Sequence, residues 1–140
     1  MTYSLTLRSE KGSKLTTAEL DDNFLYLEEL TQKGPVGVYT ALLTQSGVDA
    51  PVSTVLDNTI GDITFEYAGS GEYRIISDGL FTQDKTFYMS QTTQDNSPDA
   101  IITTMIYQDS STIYLRTLMT GTGYQDGFLL NTPIEIRVYS

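Results

Sequence analysis

With 140 residues and neither cysteine nor histidine, the chain lacks the side chains behind much of enzyme chemistry. Disulfides, thiolate ligands and cysteine nucleophiles are excluded, as are the commonest general base, the commonest transition-metal ligand and every Ser-His-Asp triad. A formal net charge of −10 works against nucleic acid and anionic membranes, which both select basic patches.

The hydrophobic content of 39%, with ten tyrosines, is enough for a packed core. No apolar run of about 18 residues is present to span a membrane as a helix, and no apolar signal stretch heads the sequence. The first fifteen residues carry Arg8, Lys11 and Lys14 against Glu10 alone, whereas residues 36–140 hold twelve acids against four bases. A basic leader on an acidic body points to docking on an acidic partner surface; a solvated leader is the plainer alternative.

Thr16-Thr17-Ala18-Glu19 reads as a capping box, with the Thr16 hydroxyl accepting from the Glu19 N–H and the Glu19 carboxylate from the Thr16 N–H. Leu15 and Leu20 take the positions of a hydrophobic staple, and Glu19, Asp21 and Asp22 favour the positive end of the helix dipole. Gly34-Pro35 stops the helix, which the pattern places over about 16–33. Leu20, Phe24 and Leu27 form an apolar stripe of about two heptads, with Leu30 and Thr31 beyond it. A helix of this length is marginal alone. Its stripe is expected to be buried either on the chain's own β domain or against copies of itself or a docking partner.

From Val38 the pattern alternates. Strands are expected at 38–44, 62–68, 72–77, 85–91, 101–107, 112–118 and 134–139. Gly69-Ser70-Gly71 closes a hairpin between Phe65/Tyr67 and Tyr73/Ile75, and Asp109-Ser110-Ser111 closes one between 101–107 and 112–118. Gly121-Thr122-Gly123 and Asp126-Gly127 mark later turns. In the last strand Ile134, Ile136 and Val138 face one way and Glu135, Arg137 and Tyr139 the other, which ties the closing residues into a sheet. The fold class is therefore mainly β: a short N-terminal helix in residues 1–35, then an antiparallel, jelly-roll-like β-sandwich over 36–140.

Few candidates for chemistry remain. The acid pairs Asp57/Asp62, Asp95/Asp99 and Glu66/Glu72 have the residue types of a glycosidase acid and base, but turns and outward strand positions ordinarily hold solvated acids. Asp95-Asn96-Ser97-Pro98-Asp99 offers oxygen ligands without the EF-hand spacing, so an ordinary loop is the expectation. The glycine pairs at 69/71 and 121/123 lack the strand-to-helix setting of a phosphate loop. No catalytic residue, cofactor or metal is expected. The tyrosines at 67, 73, 88, 107, 114 and 124 are either half-buried strand residues or a surface for sugars or receptors.

The pattern Leu-x-Leu-Arg-Ser-x-Lys-Gly-x-x-Leu-Thr-x-x-Glu-x-Asp-x-Asn-Phe-x-x-Leu, from Leu5 to Leu27, resembles the N-terminal segment of tailed-bacteriophage fibre and virion structural proteins. The body, with Tyr39-Thr-Ala-Leu-Leu-Thr-Gln-Ser-Gly, Ala50-Pro-Val-Ser-Thr-Val-Leu-Asp-Asn-Thr-Ile-Gly and Ile134-Glu-Ile-Arg-Val-Tyr, resembles a small β module of environmental phage proteins. The resemblance implies a non-enzymatic virion protein, a short head fibre, capsid decoration or small tail-fibre component located on the virion. No long shaft follows the helix, so a long tail fibre is not implied. Leu5, Leu7, Arg8, Lys11 and Lys14 would dock to capsid or tail components. Leu20, Phe24 and Leu27 would register a homotrimer, and the β module would meet the host surface, with a surface glycan as one partner. Nucleic acid and membrane insertion are not expected. A carbohydrate-binding or carbohydrate-active β domain is the alternative.

Overall fold

The structure, a computed structural model, describes residues 5–31, 34–91 and 99–140. The chain falls into two compact units, Met1–Pro35 and Val36–Ser140.

The first unit contains α1 (Arg8–Lys11) and α2 (Thr17–Thr31). The single turn of α1 has no apolar periodicity to announce it. It closes on Gly12 in the left-handed region at φ 70, whose N–H bonds the Arg8 carbonyl at 3.1 Å. A glycine takes this conformation without the Cβ penalty. The α2 start follows the capping box. Glu19 N–H donates to Thr16 Oγ1 at 3.3 Å, and Thr16 N–H donates to Glu19 Oε2 at 2.7 Å. The helix is described to Thr31; residues 32 and 33 of the expected span lie outside the described residues.

The second unit is all antiparallel. Its strands are β1 (Gly37–Thr44), β2 (Val52–Asn58), β3 (Thr64–Gly69), β4 (Glu72–Ile76), β5 (Thr86–Ser90), β6 (Ile101–Asp109), β7 (Thr112–Met119), β8 (Gly123–Tyr124) and β9 (Thr132–Val138). They form two sheets, one in the order β2-β1-β9-β5 and one in the order β3-β4-β7-β6, with β8 paired to the end of β7. The chain crosses from one sheet to the other after β2, β4, β5 and β8. The mainly β, two-sheet architecture is the one the alternation predicts.

Strict alternation builds the core. Tyr39, Ala41 and Leu43 of β1 and Ile134, Ile136 and Val138 of β9 are buried with Tyr73 and Ile75 of β4 and Ile113 and Leu115 of β7. Phe81 and Leu129 fill the core from the loops. The opposite residues of each strand stand on the outer faces. The β3–β4 hairpin has the expected register, with Tyr67 opposite Tyr73 and Phe65 opposite Ile75. The β6–β7 hairpin turns at Ser110–Ser111, where Asp109 Oδ1 accepts the Ser111 N–H at 2.8 Å. Two strands leave no signal in the sequence. β2 is an edge strand with exposed residues on both faces, so it carries no alternation, and β8 is only two residues long.

One end of the sandwich is locked by polar contacts. Asp126 Oδ1 accepts the Gly71 N–H at 2.7 Å and the Tyr73 hydroxyl at 3.1 Å, and Oδ2 accepts the Tyr67 hydroxyl at 3.1 Å. Buried Gln45 completes the set, with its Oε1 accepting Gly127 N–H at 2.7 Å and lying 3.0 Å from the Tyr73 hydroxyl. Burial first, then Asp126, pushes the Tyr67 phenol up, and burial also pushes the Tyr73 phenol up. These groups hold the β3–β4 hairpin to the 125–127 turn; the sharing of one carboxylate among three donors is a structural lock.

Candidate functional site

Two surfaces stand out, one on each unit. In the first unit the leader folds back along α2. The Asn23 side chain clasps the backbone of Thr6, with Thr6 N–H donating to Asn23 Oδ1 at 2.7 Å and Asn23 Nδ2 donating to the Thr6 carbonyl at 2.9 Å. Further along, the Lys11 ammonium ion-pairs with the Glu19 carboxylate, which also accepts from the Thr16 N–H and hydroxyl. Lys11 first, then Thr16, draws the Glu19 carboxyl down to about 2 from an ordinary 4.5. One carboxylate thus caps α2 and fastens the leader to it.

This arrangement separates the residues assigned to docking. Lys11 is engaged by Glu19 and helps fasten the leader to α2. Arg8 and Lys14 border an open depression with Gly12 and Ser13. Leu5 and Leu7 are exposed on the leader. On α2 the half-buried positions are Glu19, Asn23 and Tyr26, whereas Leu20, Phe24 and Leu27 are 45%, 62% and 49% exposed. Helical spacing of four and three puts these three on one face. The clasped face, with Glu19 and Asn23, is a different one.

The second surface is the outer face of the β3-β4-β7-β6 sheet. Arg74 is directly opposite Glu66 on one side and Tyr114 on the other, and Glu72 is opposite Arg116. Arg74 lies 3.6 Å from Glu66 and its guanidinium carbon 5.8 Å from the Tyr114 ring centroid. Arg116 lies between two rings, 5.4 Å from the Tyr114 centroid and 5.6 Å from that of Tyr124. Its Nε is 3.0 Å from Glu72 Oε1, an ion pair whose N–H is not aligned as a hydrogen bond. Tyr124 is 48% exposed. Glu66 and Glu72 each face a guanidinium, which is not the geometry of a paired acid and base across a bond.

The sequence named Tyr114 and Tyr124 without separating them from the other tyrosines. Tyr73 is buried, and Tyr67, Tyr88 and Tyr107 pack against the core, so these four belong to the fold. Arg74 and Arg116 went unmarked. The readable signal was Tyr114-x-Arg116, which a strand places side by side on one face.

The remaining candidates carry less. A mostly apolar groove of about 480 Å³ on the outer face of the other sheet is lined by Thr40, Met89, Gln91, Pro133 and Glu135. Its carboxylate, Glu135, is paired with Arg137 at 2.6 Å. Residues 95–98 of the oxygen-rich loop lie outside the described residues. Among the described residues no group of three His, Cys, Asp or Glu side chains converges as metal ligands, and no helix is long and apolar enough to cross a membrane. Comparison of the chain with family models, curated proteins and solved structures gave no match.

Proposed function

We propose that this protein is a non-enzymatic structural component of a tailed-phage virion, a short capsid-attached fibre or decoration, or a small tail-fibre component. In this reading the first unit attaches and registers the protein, and the β unit is the part presented outward. The observation that carries the reading is the exposed stripe of Leu20, Phe24 and Leu27 on a helix whose other face is occupied by its own leader. Such a helix is marginal alone, and three copies meeting along this stripe would bury it. The Leu5-to-Leu27 resemblance supports the same assignment. Gly12, Glu19 and Asn23, three residues of that pattern, are those that cap α1, cap α2 and clasp the leader. Arg8 and Lys14, with Leu5 and Leu7, would meet an acidic, partly apolar surface of a capsid or tail protein.

Light scattering on the purified chain tests the assembly. The wild type is expected at three times the chain mass and Phe24→Asp at one, because an aspartate in the seam brings three carboxylates together. A monomeric wild type overturns the trimer. Attachment is read separately, by immunodetection in purified particles; a protein confined to the particle-free lysate overturns the virion assignment.

A further inference from the structure

We infer that the outer face of the β3-β4-β7-β6 sheet is a binding platform for a neutral polysaccharide chain. The inference rests on the reading of the β unit as the presented part, and supplies the chemistry it would present. Tyr114 and Tyr124 flank the Arg116 guanidinium at 5.4 and 5.6 Å, and Arg74 adjoins Tyr114 at 5.8 Å. Glu66 and Glu72 each sit against one of these arginines. The face therefore offers aromatic surface, fixed N–H donors and fixed carboxylate acceptors, with its two positive and two negative charges balanced.

That balance selects the ligand. An acidic glycan or nucleic acid would meet guanidiniums that are already neutralised, on a unit holding twelve acids against four bases. The core of a protein interface is depleted in charge, whereas four ionised side chains occupy the middle of this face. A neutral pyranose chain suits it. Its hydroxyls can accept from the guanidiniums and donate to the carboxylates, and its C–H faces can rest on tyrosine. The cation–aromatic contacts hold the long arginine side chains in place before a ligand arrives, which reduces the ordering cost of binding. An open face gives weak single-site affinity, and an oligomer would multiply it.

The test uses the full chain and soluble hexasaccharides of neutral glucan, mannan and galactan, with hexagalacturonate as the acidic comparison. Binding is read by calorimetry and by tyrosine emission, which no tryptophan masks in this chain. At least one neutral hexasaccharide is expected to bind. Tyr114→Ala and Tyr124→Ala are each expected to weaken it about tenfold, and Met89→Ala on the opposite sheet to leave it unchanged. Tyr124 is half exposed, so its variant keeps the test informative if Tyr114→Ala fails to fold, with circular dichroism as the check. Absence of binding to all three neutral chains overturns the inference. So does unaltered binding by a folded Tyr124→Ala variant, or tighter binding of hexagalacturonate. Light scattering on the same samples separates the two proposals: a monomer that binds sustains the platform and overturns the trimer, and a trimer that binds nothing does the reverse.

Discussion

Gly71 occupies a position where a side chain has nowhere to go. Its φ is +63, and a Cβ built there would lie 2.5 Å from the Thr117 carbonyl oxygen and 2.5 Å from the Gln125 nitrogen. Its own N–H is held by Asp126 and its carbonyl accepts the Thr117 N–H at 2.8 Å. Left-handed strain and overpacking against backbone add, so Gly71→Ala is expected to lower stability by about 3–4 kcal/mol. Denaturant unfolding monitored by tyrosine emission measures this, and a loss below about 1 kcal/mol would show that the turn can move aside. The sequence marked Gly71 as a hairpin residue and Asp126-Gly127 as a turn. It gave no sign that they meet, because Gly71 and Asp126 are 55 positions apart and only the completed sheets bring them together.

The α2 cap gives a pH dependence of definite sign. Glu19 titrates at about 2 when folded and near 4.5 when not, so its contribution to the helix is complete above about pH 4.5 and disappears as the pH falls towards 2. The difference in helical circular dichroism between wild type and Glu19→Gln should be constant above pH 5 and shrink steadily as the pH falls from there through about 2. A difference that persists undiminished at pH 2 would reject the cap as its source. This helix start was legible because every partner of the cap lies within three residues in the chain, and β9 was legible because a strand buried on one face must alternate. β2 was hidden for the opposite reason: at an edge, with Val52, Val55 and Leu56 all exposed, no face is selected for apolarity. The Arg–Tyr face was hidden because Arg74 and Tyr114 are neighbours only through the β4–β7 register. The Asn23 clasp of Thr6 was equally out of reach, since it links a side chain to a backbone 17 positions away.

For the protein as a whole, net charge opposes the proposed assembly. Each copy brings a formal −10, so a trimer gathers like charge while the apolar seam holds it together. Salt should therefore favour association. Light scattering across a dilution series is expected to show dissociation at higher protein concentration in about 20 mM salt than in about 300 mM, either side of the point where the screening length is about 10 Å. The reverse order would mean that attraction between Arg8 or Lys14 and acids of a neighbouring copy governs the contact. Fold class and the helix were readable from local pattern; this balance between seam and charge follows from composition; the platform required the sheet order.

The place of β9 in its sheet bears on how the protein is made. It lies between β1 and β5, with Gly37 opposite Val138 and Leu43 opposite Thr132. On the ribosome, β1 emerges before β9 and stays without this neighbour until roughly a hundred further residues have followed. Pairing at such separation is slow, and open strand edges are prone to aggregation. The hook of Thr6, Lys11, Glu19 and Asn23 lies within residues 6–23 and does not wait for the sheets. Nascent chains stopped before Thr132 should therefore carry a finished hook and an unfinished sandwich, and copies would be able to meet through α2 before their β units have closed.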